Sequence, residues 1–362
     1  MIVLDIPIST LMAIAGFLIG GIAGYTARMN QFCTFGAIED ARLSGEWRRM
    51  RLWVFTIAIA IIGTTLLFYF QLIDLKQSMH WRADLIWVSL IVGGLCFGFG
   101  MAQVGTCPYG ALVRLGTGDL RSLVTLLVIG VTGYMTMRGL MAGARVAIEN
   151  VGLQSDAAGS LSIPALLGFN SMVSYLVIGL LIAGGLLVWC FKGVDFRRSV
   201  KSQMAGLVIG LCVVSGWFVT GNIGQDEFDP QRLVSLSFIS ATADGLMYLM
   251  TFSGSTINFA IGSVGGVVLG SLIGSMQRRQ FKLEAFDDSR EMRRHLIGGA
   301  LMGIGGIMAM GCTVGQGISG VSTLSLGSLI AFASIFVGAV LGLHYLLEDN
   351  LKDTMSAFFR SY

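Results

Sequence analysis

Long apolar runs separated by short polar segments dominate the pattern of this chain. A helix needs about 20 apolar residues to cross a bilayer, and nine runs are that long. They lie near residues 8–27, 52–72, 85–104, 122–142, 164–190, 203–221, 256–276, 295–311 and 324–347. A tenth run, near 233–250, is short and contains Thr242 and Asp244, so we expect it to enter the membrane without crossing it. The pattern predicts an all-α integral membrane protein with about nine transmembrane helices.

Composition supports a single transmembrane domain over residues 1–362. The chain is 54% hydrophobic and 12% charged, with a mean hydropathy of +0.76, whereas soluble domains have roughly 25% charged residues. The runs are continuous, which excludes the short alternating segments of an outer-membrane barrel. The 50 glycines predict closely packed helices. The net charge is only +3 and there is no basic tract, so we expect the lipid bilayer and not nucleic acid as a partner.

The distribution of Lys and Arg predicts the orientation in the membrane. Segments 28–51, 192–201 and 277–294 are basic and should face the cytoplasm. Segment 222–232 is acidic and 144–163 has little positive charge, so both should lie outside. Nine crossings satisfy all five assignments if the N-terminus is outside and the C-terminus is cytoplasmic. No cleavable signal peptide is apparent, and we expect the inner (plasma) membrane of a bacterium.

One polar stretch between two apolar runs carries candidate chemistry. Gly105-Thr106-Cys107-Pro108 follows the run that ends near Val104. Proline is favourable at the first position of a helix, so we expect Cys107 to cap a short helix that ends near Arg114. The free N–H groups at such a helix start favour anions.

This stretch has a second copy 205 residues later. Six residues of the first copy correspond to six of the second: Gly93, Gly94, Gly98, Gly100, Cys107 and Gly110 to Gly298, Gly299, Gly303, Gly305, Cys312 and Gly315. We interpret residues 1–143 as a first repeat, 144–201 as a connector helix region and 202–362 as a second, inverted repeat. Inverted repeats predict re-entrant or half helices around a substrate site near the bilayer midplane.

A third cysteine motif, Phe32-Cys33-Thr34-Phe35-Gly36, follows the first apolar run. The polar stretch after it predicts a short interfacial helix with Trp47 and Trp53 as anchors. Cys33, Cys107 and Cys312 all border predicted helix breaks. Cys96, Cys190 and Cys212 lie inside apolar runs, so we interpret them as packing residues.

The three cysteine motifs together resemble the YeeE/YedE sulphur-transport family, whose studied members are thiosulfate transporters. The resemblance rests on Phe32-Cys33-x-x-Gly36, on Gly105-x-Cys107-x-x-Gly110 with Arg114-x-Gly116-x-Gly118, and on Gly311-Cys312-x-x-Gly315-x-Gly317. It implies a helical fold with a narrow central pore and places Cys33, Cys107 and Cys312 on the substrate path. The second motif departs from the commoner Gly-Gly-Cys form, which leaves the substrate open among sulfur and selenium species. The resemblance also implies a separate cytoplasmic sulfurtransferase of the TusA type as a partner.

The leading hypothesis is a transporter or channel that imports thiosulfate or a similar small sulfur anion and uses no cofactor, metal or catalytic residue. A neutral thiol can donate a weak S–H hydrogen bond to the anion, although a helix N-terminus and burial shift a thiol pKa in opposite directions. Tyr109 and Gln316 lie within the motifs and are further candidates for the path. Arg114 either attracts the anion at the cytoplasmic mouth or extends to the interface, and Asp244 is either functional or interfacial.

Two other function classes compete with a transporter. A membrane thiol-disulfide oxidoreductase is the main alternative, but that class usually needs a closely spaced cysteine pair. A structural or assembly subunit is the other alternative, and it predicts that replacing all three motif cysteines leaves function intact.

Overall fold

The computed structural model describes residues 7–81, 84–151, 153–155, 162–166, 168–169, 171–225 and 231–348. Within this part of the chain the protein is helical, apart from two three-residue strands, β1 (Asp84–Ile86) and β2 (Leu153–Ser155), which pair antiparallel. The helices are α1 (Ile8–Asn30), α2 (Thr34–Glu39), α3 (Arg48–Tyr69), α4 (Trp87–Val104), α5 (Pro108–Leu115), α6 (Leu120–Arg138), α7 (Ala142–Val151), α8 (Ile163–Leu166), α9 (Met172–Lys192), α10 (Val194–Arg198), α11 (Val200–Phe218), α12 (Ile239–Met250), α13 (Phe259–Gln277), α14 (Ser289–Met308) and α15 (Leu326–Glu348).

Among the described residues, eight helical segments are long and apolar enough to cross a membrane. They are Ile8–Ser44, Arg48–Tyr69, Trp87–Leu115, Leu120–Arg138, Met172–Lys192, Val200–Ile223, Phe259–Gln277 and Leu326–Leu347. Each coincides with one of the nine predicted runs, so the prediction of an all-helical, multi-pass membrane protein is confirmed at this level. The acidic residues at 226–230, which belong to the predicted outside segment, lie outside the described residues.

The remaining predicted run, 295–311, forms α14 but is not among these eight segments. The helix begins at Ser289, six residues before the apolar run, and takes in Arg290, Arg293 and Arg294. Its glycines nevertheless pack closely on α4, because a Cβ added at Gly298 would lie 2.7 Å from Val104 Cγ2. In the short run near 233–250, α12 has only 12 residues. At 1.5 Å per residue it is about 18 Å long, shorter than the ~30 Å hydrocarbon core.

Each of four long helices in residues 1–143 packs against one long helix in residues 200–348. Helix α1 packs along α13, and α3 packs against α11; α4 packs along α15, and α14 packs against α6. The approach of α1 to α13 depends on small residues, since a Cβ added at Gly20 would lie 2.9 Å from Ser263 Cα. Such stripes of glycine let membrane helices come close enough for extensive van der Waals contact.

The polar stretch after Cys33 forms α2 and a π-helical turn, Asp40–Ser44, before α3. Trp47 is 47% exposed. The prediction that Trp53 anchors the interface is wrong, because its side chain is 2% exposed. Trp53 lies on the inner face of α3, where its ring is stacked between Phe32 (centroids 5.7 Å apart) and Phe332 (5.5 Å).

Candidate functional site

Each of the three motif cysteines lies at a break between two helical segments. Cys107 caps α5 in an extended conformation with Pro108 at the first helical position, as predicted. The break before it is made by Gly105, whose φ of +73° ends α4 in the left-handed region that glycine adopts most easily. Cys33 is the extended residue before α2, but its side chain makes no capping hydrogen bond. Cys312 follows the end of α14 and precedes a helical segment that continues as a π-helix over Gly315–Gly320.

The sulfur atoms of Cys107 and Cys312 accept hydrogen bonds from the backbone. Gly110 N donates to Cys107 Sγ at 3.5 Å, and Gly315 N donates to Cys312 Sγ at 3.4 Å. These are corresponding positions in the two sequence copies. Phe238 N, just before α12, also donates to Cys312 Sγ at 3.4 Å. Because the sulfur acts as acceptor in these bonds, the S–H of each thiol is left to donate elsewhere.

The structure brings the three cysteines together. Cys33 Sγ lies 4.0 Å from Thr106 Oγ1, and a Cβ added at Gly110 would lie 3.8 Å from Cys33 Sγ. Cys33 therefore faces the same first turn of α5 that Cys107 caps. Cys312 joins them through Phe238, whose backbone N donates to Cys312 Sγ at 3.4 Å and whose ring stacks on Tyr109, two residues after Cys107. Cys107 and Cys312 are fully buried and Cys33 is half-buried.

Aromatic rings surround this cluster. The ring of Tyr109 stacks on Phe238 with centroids 4.9 Å apart and meets the edge of Phe32 at 6.3 Å. The Tyr109 hydroxyl donates to Ala23 O at 2.8 Å, which ties α5 to α1. Phe32 and Phe238 precede α2 and α12, so the rings link the starts of α2, α5 and α12.

The remaining predicted site residues are Gln316 and Arg114. Gln316 is buried, and its Nε2 donates to Ala309 O at 2.8 Å, while its Oε1 has no hydrogen-bond partner in the described part of the chain. Arg114 lies at the other end of α5, is exposed, and donates from Nη2 to Gly105 O at 3.1 Å. Arg114 thus contacts the break before Cys107 and not the cysteines themselves.

A cavity of about 1090 Å³ lies between the ends of α6, α11, α12, α13 and α14. Its lining includes Ser237 and Gly311, the residues directly before Phe238 and Cys312, but not the three cysteines themselves. Its charged lining residues are Arg138, Arg145, Arg232, Glu149 and Asp244. Five methionines also line it: Met12, Met79, Met137, Met247 and Met310.

The sequence analysis missed these three cavity arginines. Arg138 could have been noticed because it is charged and lies within an apolar run, near 122–142. Arg145 and Arg232 lie in loop-like sequence, where nothing distinguishes them from other exposed arginines. Arg145 is paired with Glu149 at 2.6 Å.

Comparison with known proteins agrees with this arrangement. Residues 30–341, which contain all three cysteines of the cluster, match the sulphur-transport family. The chain is 26% identical over 344 residues to the thiosulfate transporter TsuA of Spirochaeta thermophila, covering 89% of this chain and 96% of the relative. It is 25% identical over 328 residues to the thiosulfate transporter TsuA of Escherichia coli, covering 85% of this chain and 87% of the relative. The match spans most of the chain, and this protein therefore belongs to the sulphur-transport family of membrane proteins.

Proposed function

We propose that this protein imports thiosulfate, or a similar small sulfur anion, across the inner membrane of a bacterium without covalent chemistry. The observation that carries the proposal is that Cys33, Cys107 and Cys312, each at a helix break, lie close together, next in sequence to, or in contact with, residues beside the cavity. Both similar proteins described above are thiosulfate transporters, which supports the same substrate class here.

Thiol donors suit the passage of this anion. Thiosulfate is a dianion with a soft terminal sulfur, and S–H groups are weak donors. Conduction requires binding that is strong enough to admit the ion and weak enough to release it. The sulfur atoms of Cys107 and Cys312 accept backbone N–H bonds, so their S–H groups can turn toward an anion without losing those bonds.

The cavity supplies the charge that would concentrate the anion. The guanidinium groups of Arg138 and Arg232 form no ion pair within 4.0 Å among the described residues, and both act on the Asp244 carboxylate at longer range. Cationic groups in a cleft with low-dielectric walls raise the local concentration of anions. In the orientation with the N-terminus outside, this cavity opens to the exterior.

The four helix pairs α1–α13, α3–α11, α4–α15 and α6–α14 each join one half of the chain to the other. They support two inverted halves, residues 1–143 and 202–362, joined by the connector region 144–201. If α14 crosses the membrane with the eight other segments, the N-terminus is outside and the C-terminus is cytoplasmic. Cysteine labelling with an impermeant reagent in intact cells tests this orientation. Gln225→Cys should be labelled, and Lys282→Cys should be labelled only after permeabilisation, each measured against the unsubstituted chain. The reverse pattern would contradict the orientation.

Arg114 lies at the far end of α5 from the cavity, and we assign it the role of attracting the anion at the cytoplasmic exit. A cytoplasmic sulfurtransferase of the TusA type would receive the anion there. If Arg114 acts by attraction, Arg114→Ala lowers uptake mainly at low substrate concentration. An equal loss at saturating substrate would instead indicate that its bond to Gly105 is structural.

Growth on thiosulfate as sole sulfur source, in a bacterium lacking its own thiosulfate uptake, tests the proposed function. The wild-type chain should restore growth and carry out uptake of labelled thiosulfate in proteoliposomes. Cys107→Ala and Cys312→Ala should abolish most uptake in protein that remains folded, whereas Cys→Ser should retain part of it because a hydroxyl can donate. Full uptake by both alanine variants would contradict a role of the thiols.

A further inference from the structure

Two buried threonine hydroxyls accompany the cysteines of the cluster. Thr106, directly before Cys107, is 1% exposed, and its Oγ1 lies 4.0 Å from Cys33 Sγ. Thr313, directly after Cys312, is fully buried, and its hydroxyl lies beside the Cys107 thiol. Two thiol–hydroxyl pairs therefore form between different helix breaks: Cys33 with Thr106, and Cys107 with Thr313.

The hydroxyl of Thr313 differs from other buried threonines of this protein. Threonines inside membrane helices commonly donate to the carbonyl one turn earlier. Thr56, for example, is fully buried and donates to Leu52 O at 2.9 Å. Thr313 Oγ1 has no partner with hydrogen-bond geometry among the described residues, although the weakly accepting sulfur of Cys107 lies beside it.

The local fold explains why this hydroxyl is left unpaired. Thr313 lies at the start of a helical segment, so the residue one turn earlier, Ala309, belongs to the end of α14, across the break. Ala309 O already accepts from Gln316 Nε2 at 2.8 Å. An unpaired buried hydroxyl is unfavourable for folding, and such exceptions in native proteins call for an explanation such as a bound ligand.

We propose that Thr313, assisted by Thr106, binds the oxygen end of the transported anion and so determines specificity. This inference rests on the proposed function and deepens it. Hydroxyls are stronger donors than thiols and match the hard sulfonate oxygens, while the thiols match the soft terminal sulfur. The cluster then selects anions that carry both sulfonate oxygens and a terminal sulfur, such as thiosulfate. Sulfate has no soft terminal sulfur, and a sulfide ion has no oxygen.

Uptake of labelled thiosulfate by purified protein in liposomes tests the proposal, with unlabelled sulfate as competitor. Thr313→Val keeps the side-chain shape and removes the hydroxyl, Thr313→Ser keeps the hydroxyl, and Thr56→Val is the matched control. Loss of a hydrogen bond to a charged ligand should reduce uptake at low thiosulfate concentration about tenfold or more in Thr313→Val. Thr313→Ser should keep most uptake, Thr56→Val should stay within about twofold, and sulfate should not compete in the wild type.

The thermal midpoint separates this role from a structural one. Since Thr313 makes no hydrogen bond of normal geometry, and a contact with a thiol is weak, Thr313→Val should unfold close to the wild-type temperature while its uptake falls. Wild-type uptake by Thr313→Val, or a loss of uptake that follows a lower midpoint, would overturn the proposal and leave the proposed function standing. Absence of thiosulfate uptake by the wild-type protein would instead overturn the proposed function.

Discussion

Replacing Gly20 by alanine should disrupt the contact between α1 and α13, whereas the same change at the neighbouring Gly21 should not. Gly20 faces the backbone of α13: an added Cβ would lie 2.9 Å from Ser263 Cα and still closer to the Ser263 carbonyl oxygen. At Gly21 the nearest atom to an added Cβ is Gly266 O at 3.7 Å, an ordinary contact distance. The two variants change the sequence identically on adjacent positions of one helix.

The structure gives the size of the expected difference. Ordinary contact begins at 3.4 Å, so α1 and α13 would have to separate by about 0.5 Å or more to accept the methyl group that Gly20→Ala adds. Overpacking of this kind costs about 1–3 kcal/mol. Alanine in place of glycine inside a helix favours folding by up to about 1 kcal/mol, which should make Gly21→Ala neutral or slightly stabilising.

The assay is thermal unfolding of each purified variant in detergent, followed by thiosulfate uptake. Gly20→Ala should have the lower midpoint of the two. Its uptake should also fall, because Ala23, one turn further along α1, accepts the Tyr109 hydroxyl beside the cysteine cluster. If Gly20→Ala were as stable and as active as Gly21→Ala, the close packing of α1 on α13 would be refuted.

Three further predictions concern other parts of the bundle. Tyr109→Phe removes a buried 2.8 Å hydrogen bond to Ala23 O and should lower the unfolding free energy by about 1 kcal/mol; an unchanged thermal midpoint would contradict that bond. Arg121→Ala removes ion pairs of 2.7–3.2 Å with three carboxylates and should lower the midpoint more than Lys282→Ala, whose single ion pair is 3.7 Å long and exposed; equal midpoints would argue against the network. Arg138→Gln should raise the thiosulfate concentration needed for half-maximal uptake, with a smaller difference from wild type at high salt; an unaltered concentration dependence would exclude its part in attracting the anion.

The membrane spans and the helix breaks at the three motif cysteines could be predicted from the sequence because both depend on local properties. Eight spans follow from uninterrupted apolar length, and the cap at Cys107 follows from a proline at the first position of a helix. The burial of Trp53 could not be predicted in this way, since it depends on two rings, from Phe32 and Phe332, that reach it from other elements.

Other features of the site depend on tertiary packing in the same manner. The unpaired hydroxyl of Thr313 becomes visible only when the bond between Gln316 and Ala309 is known. The grouping of Arg138 and Arg232 around Asp244 joins residues from α6, α12 and the segment before α12. No periodicity along the chain predicts such a group.

Transport of doubly labelled thiosulfate tests the central claim, that the thiols pass the anion intact, most directly. The two sulfur atoms are chemically distinct, and each can be labelled separately before uptake into proteoliposomes is measured. If the cysteines act as S–H donors, both labels should accumulate inside at equal rates. If a thiolate attacked the terminal sulfur, it would form a persulfide on the protein and release sulfite. Accumulation of the terminal-sulfur label alone would therefore contradict the account.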